Sequence, residues 1–184
     1  MASAPLLVVE GASDRVALET LAARLGRDLV AEGVEIVELG GITNLRRFLV
    51  ETLPARRGLN LRGLYDVPEE RYVRSALEAA GLGAVEDRWR LEELGFFACE
   101  EDLEDELLRA VGGRVMLQLL EVHGDLASFR RLQHQPALRA WDQHRQFRRF
   151  LSARSGNKAR YARILADAVE LDAVPSPLWE VLAL

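Results

Sequence analysis

Five carboxylates in this chain fall just beyond short apolar runs, where their spacing could do chemistry. Glu10 follows Leu6-Leu7-Val8-Val9, and Asp14 comes four residues later across Gly11. Asp66 closes the run 61–65, and Asp102 and Glu104 lie in the acidic stretch 100–106 that follows Phe96–Cys99. Gathered carboxylates repel one another unless they are protonated or bridged by a cation. Hard divalent ions such as Mg2+ or Mn2+ take oxygen ligands of this kind. Taken singly, each acid has a plainer reading. Glu10 could be a turn residue, Asp14 a helix N-cap, and 100–106 an acidic helix start favoured by the macrodipole. Three run ends agreeing favours a metal site. Lys158 is the other conspicuous residue, the single lysine against 23 arginines. Where arginine serves wherever charge alone is needed, a lone lysine points to a role for a compact point charge, such as stabilising charge on a phosphate.

These side chains need elements to hold them. The apolar runs 6–9, 34–39, 61–65 and 96–99 read as buried strands, and they alternate with helical patterns at 14–30, 43–52, 69–80 and from the acidic run to 111. Such alternation predicts a parallel sheet with right-handed crossovers, an α/β fold in which all strands end on one edge. The acids would converge there, where open α/β sheets place their ligands. Residues 83–93 read as a loop. From 113 onward the pattern is helical only, near 113–122, 125–133, 143–152 and 157–170, with Pro175-Ser176-Pro177 as a breaker before a short end segment. The expected division is 1–112 as the α/β domain and 113–184 as an α-helical extension.

Composition narrows the class. Of the 184 residues 49% are hydrophobic and 29% charged, as in an ordinary globular protein. No run approaches the roughly 20 apolar residues of a membrane span, and the start lacks a signal-peptide pattern, so a cytoplasmic location is expected. The single cysteine, Cys99, rules out an internal disulfide and reads as a small core residue. The net charge of −5 conceals a polarity: residues 130–163 carry ten basic side chains and one acid, which leaves −14 on the remainder. Arg148, Arg149, Arg154 and Arg160 in this segment are candidate phosphate partners on DNA. Phe147, Phe150 and Tyr161 could stack on bases or sit in the core. The alternative is that the arginines neutralise the acidic body.

Glu10-Gly11-x-x-Asp14 after the first strand, Asp66 after a later one, and Asp102-Leu103-Glu104 after the next resemble the toprim domain of topoisomerases, bacterial primases, small ribonucleases and OLD (overcoming-lysogenization-defect) nucleases. The pattern is most similar to the OLD branch, with the helical remainder corresponding to an OLD-type extension. The resemblance implies a four-stranded toprim sheet and Mg2+- or Mn2+-dependent endonuclease or nucleotidyl hydrolase chemistry on DNA. It implies Glu10 as a general acid/base or metal-associated carboxylate, and Asp14, Asp66 and Glu104 as metal ligands. Asp102 joins that set. Lys158 matches a catalytic lysine. OLD proteins normally join this domain to an ATPase. No Walker A motif is present here, so the ATPase half is expected to be absent and an ATPase would be a separate partner. One element departs from the pattern. The D-x-D motif reads Asp66-Val67-Pro68, and proline offers no ligand, although Glu69 or Glu70 could reach in from the following turn. The competing reading is therefore a toprim-fold binding or regulatory module that has lost turnover.

Overall fold

The computed structural model describes residues 5–53, 60–153 and 156–183. Strand β1 (Leu6–Val9) lies between β2 (Glu35–Glu38) and β3 (Leu61–Asp66), with β4 (Phe96–Cys99) outside β3. All the pairings are parallel, and the order is β2-β1-β3-β4. Every residue of β1 is buried, as befits a strand covered on both faces. Leu7 and Val9 enter a core shared with Ala17, Leu18 and Leu21 of α1 (Ala12–Arg24). Val8 points to the opposite core, with Leu45 and Leu49 of α2 (Leu45–Thr52) and Val73 and Leu77 of α3 (Glu70–Ala79).

The chain runs from β1 to β2, then returns past β1 to β3. The strand order therefore reverses between β1 and β3, and their carboxyl ends flank the switch point at which such sheets hold ligands. Close packing maintains this spacing. A side chain on Gly63 would meet the Phe96 ring, and a Cβ on Gly95 (φ +84°) would lie 2.4 Å from the Leu61 carbonyl oxygen.

The sheet matches the sequence expectation, and the differences are local. Helix α1 stops at Arg24 rather than near residue 30. Gly26 takes a left-handed conformation and Asp28 accepts the N–H groups of Val30 and Ala31, so the chain turns instead. The segment 83–93, expected as a loop, contains α4 (Arg88–Glu93), started by Asp87 accepting the Arg90 N–H. With Leu91 its one buried residue, α4 has no apolar period to read.

Helices α5 (Leu103–Val111), α6 (Gly113–Val122), α7 (Leu126–Gln133), α8 (Gln143–Leu151), α9 (Asn157–Ala168) and α10 (Ser176–Leu182) complete the described chain. Pro177 lies in the first turn of α10, where a missing N–H costs nothing. Helix α9 packs on α1 and α5, and α10 on β3 and β4. One continuous core thus joins the sheet to the helical part. The aromatics of the basic segment belong to that core: Phe147 stacks on Phe129 at 4.7 Å, and Phe150 meets Phe129 and Tyr161 edge-on. Arg24 ties the two ends of the chain together by donating to the carbonyls of Ala166 and Val169. Among the described residues no helix is long and apolar enough to cross a membrane.

Candidate metal centre and adjoining cleft

Glu10, at the end of β1, and Asp66, at the end of β3, meet beyond the switch point. Glu69 joins them, and one carboxylate oxygen from each residue lies within 4.8 Å of the other two. Among the described residues this is the one acidic group so closely gathered. The route by which Glu69 arrives explains Pro68. A single 3-10 turn, Val67–Glu69, begins directly after Asp66 with proline in its first positions. In 3-10 geometry residues three apart eclipse one another, so Glu69 comes round to the side of Asp66. Spacing of i,i+3 on a turn thereby replaces i,i+2 on a strand.

The electrostatics of the group are strained. Burial pushes the Asp66 carboxyl up to about 8, with the charges of Asp102, Asp14, Glu10 and Glu69 adding to it. Burial and Glu10 likewise raise Glu69. The Glu69 Oε2 atom is buried with no hydrogen-bond partner. A second shared feature lies on the neighbouring helices. Gly11 caps α1, and its N–H donates to Asp14 Oδ2 at 3.0 Å. Burial raises Asp14 to about 6 against the pull of that hydrogen bond, with Glu104 and Glu10 contributing. Glu104, on the first turn of α5, is buried. Its Oε2 lies 3.2 Å from Lys158 Nζ, while its Oε1 is buried without a partner. Burial opposes the Lys158 ammonium, yet Glu104, Asp102 and Asp14 outweigh it and hold its pKa above the ordinary value.

Two orphaned, buried carboxylate oxygens and a set of mutually repelling acids are what a hard divalent cation would resolve. The donor set fits such an ion. Asp14 and Glu104 lie outside the tight group, although the charge of Asp14 reaches Asp66 and that of Glu104 reaches Asp14. Asp102 has other duties: it caps α5 by accepting the Asp105 N–H at 2.8 Å and accepts from Arg148 at 2.9 Å.

Sequence reasoning did not single out Asp105, which anchors the basic helix to this edge. Asp105 is buried, accepts from His144 Nε2 at 2.6 Å, and pairs with Arg109 at 3.0 Å and Arg148 at 3.3 Å. Arg148 also reaches Glu101 at 3.3 Å. Some 39 residues separate Asp105 from His144, and no local spacing marks the pair. Between α5, α8 and α9 a cleft of about 260 Å³ opens from Glu104 and Lys158 towards Trp141, Arg145, Arg148 and Arg149. Arg160 is not in it. It pairs with Asp125 and donates to the His123 carbonyl, in a separate groove. Arg154 lies outside the described residues. Cys99, paired across the sheet with Asp66, is buried, and burial pushes its thiol up.

Comparison with known proteins agrees with the fold. Residues 2–51 match the family model "Overcoming lysogenization defect protein-like, TOPRIM domain". Among solved structures, the C-terminal region of the Xanthomonas campestris pv. campestris OLD protein superposes with a TM-score of 0.70 at 24% identity, covering 98% of this chain and 92% of that one. The chain has the toprim fold of an OLD C-terminal region. The corresponding region of the Burkholderia pseudomallei OLD protein is similar too, with a TM-score of 0.66, 23% identity, and coverage of 99% and 96%. No curated protein matches the chain by sequence. The superpositions run through α5–α10 as well as the sheet, so the helical part is a component of the OLD-type fold.

Proposed function

We propose that this chain catalyses metal-dependent cleavage of phosphodiester bonds in DNA, as an OLD-like toprim endonuclease. The observation that carries this reading is the convergence of Glu10, Asp66 and Glu69 within 4.8 Å of one another, with Lys158 paired to the neighbouring Glu104 across a long stretch of sequence. Glu10, Asp66 and Glu69 would hold one divalent ion, and Glu104 with Asp14 would offer oxygens to a second or to the substrate side of the first. A bound Mg2+ or Mn2+ supplies Lewis-acid stabilisation of a phosphate and a more acidic water.

The chain's own groups then have distinct tasks. Lys158, half-exposed beside Glu104, presents its ammonium to charge developing on a phosphate oxygen. Arg148, held by Glu101, Asp102 and Asp105, fixes the α8 wall of the cleft, where Arg149 would meet the backbone of the substrate. Glu10 would serve as general acid/base or as a metal-associated carboxylate. The alternative of a degraded binding module rested on Pro68. The presence of the Glu69 oxygen in the group weakens it, because the ligand count is kept by another route. An ATPase acting in trans stays part of the proposal.

Nicking of supercoiled plasmid tests it. With millimolar Mg2+ or Mn2+ the protein should open the circle, and Glu10→Ala should not. Glu69→Gln should lose activity as severely as Asp66→Asn, because both remove an ion-holding oxygen. Full activity of Glu69→Gln would show that the third carboxylate is ornamental, and absence of nicking with either ion would overturn the enzymatic reading.

A further inference from the structure

The cleft that opens from Glu104 and Lys158 contains more than a phosphate needs. Trp141 lines one wall, only half-buried, with the Arg145 guanidinium 4.4 Å from its ring centroid. Lys158 with Glu104 closes the end nearest the acids. Phosphate alone would be served by cations. Planar and apolar surfaces are the chemistry that recognises a nucleobase. The cations are also differently committed. Arg148 is tied to three carboxylates, whereas Arg145 and Arg149 have no carboxylate partner among the described residues and are exposed. Two guanidinium groups without a carboxylate partner thus border the same opening as the π surface, one of them lying on it.

The geometry points to a subsite for one unpaired nucleotide. Its base packs against the Trp141–Arg145 pair, its flanking phosphates meet Arg149 and Arg145, and the sugar-phosphate chain leads past Lys158 to the acidic group. This rests on the proposed nuclease reading and specifies its substrate: the strand to be cut is single-stranded, or locally opened, on the side of the scissile bond that faces α8. A paired base could not enter a concave wall of this kind, since its edge is occupied and its faces are stacked.

The site can be tested without catalysis. A fluorescently labelled oligothymidylate, the same length of fully abasic strand, and a blunt duplex are titrated in EDTA at fixed salt, so that metal binding plays no part. The wild type should bind oligothymidylate about tenfold more tightly than the abasic strand, the scale of one base stacked on an aromatic side chain. Arg145→Ala should erase most of that difference without disturbing the core. Arg149→Ala should weaken both strands equally. Because Trp141 also packs against the core, Trp141→Phe accompanies Trp141→Ala: the phenylalanine variant should keep the preference and the alanine variant lose it, with melting temperatures recorded for each. Equal affinity for the normal and abasic strands in the wild type, or a preference for duplex, overturns the subsite. Plasmid nicking in Mg2+ by that same protein would show that the nuclease reading survives without it.

Discussion

Asp66 is the residue on which the charge balance of the centre turns. Its folded pKa of about 8 lies well above its ordinary 3.8, so the native state keeps a proton that the unfolded chain releases. Stability from this source is therefore greatest below about pH 4 and drains away as pH rises towards 8; Asp14 adds a smaller share, lost between about 4 and 6. In EDTA the melting temperature should fall by several degrees from pH 5 to pH 8, each kcal/mol being about 2–4 °C in a chain of this size. Asp66→Asn should flatten that slope. Mg2+ or Mn2+ should raise the melting point at pH 8 far more than at pH 5, where protons compete for the same oxygens. Thermal melts across a pH series check all three, and an ion-independent melting point at pH 8 would dismiss the metal centre. Lys158→Arg isolates the other charge. The fork can keep its ion pair with Glu104 but cannot reproduce a point charge, so stability should hold while nicking falls by about 10²–10³. Lys158 could be noticed in the sequence because it is a lone exception in an arginine-rich chain. The contribution of Glu69 could be named as an option but not decided, because the outcome depends on whether the backbone after Asp66 continues as strand or tightens into a 3-10 turn.

At the scale of elements, the strands were legible because parallel strands covered by helices are apolar on both faces, and β1 and β4 fall where their apolar runs lie. Helix α4 was not legible, being one turn and a half with a single buried side chain. Nor was the Asp105–His144–Arg148 network, which joins α5 to α8 through side chains that only tertiary packing brings together. Turn geometry provides a stringent check on the sheet. Gly95 enters β4 at positive φ, and any Cβ would press on the Leu61 backbone carbonyl, which cannot rotate away as a side chain can. Gly95→Ala should cost more than the ~1 kcal/mol of an ordinary left-handed substitution and displace β4, lowering both the melting temperature and the cation-induced shift. The same substitution at Gly124, also at positive φ but in open space, should cost only the conformational part. Chemical denaturation of the two variants side by side separates clash from strain.

For the whole molecule, charge is divided between an acidic sheet edge and a basic helical segment, and binding to DNA should weaken steeply with salt. Removing Arg149, uncommitted to any described carboxylate, should reduce the slope of log affinity against log salt by about 1. We propose residue 112 as the boundary where the α/β architecture gives way to helices. The shared core makes it a boundary of architecture and not of stability, so a fragment 1–112 should bind an apolar dye and show no cation-dependent melting transition. The interlock of α9 with α1 also has a consequence in time. Their contact spans more than half of the sequence, with Arg24 bonded to carbonyls 142 and 145 residues away. Long-range closure of this kind is slow. During synthesis α1 must wait with its apolar face uncovered until the segment beyond residue 157 has emerged. The acids of the centre are made well before the lysine that answers them, so the nascent chain passes through a long interval in which it carries the charge of the site without the cation, and refolding should be correspondingly slow and most prone to aggregate in that interval.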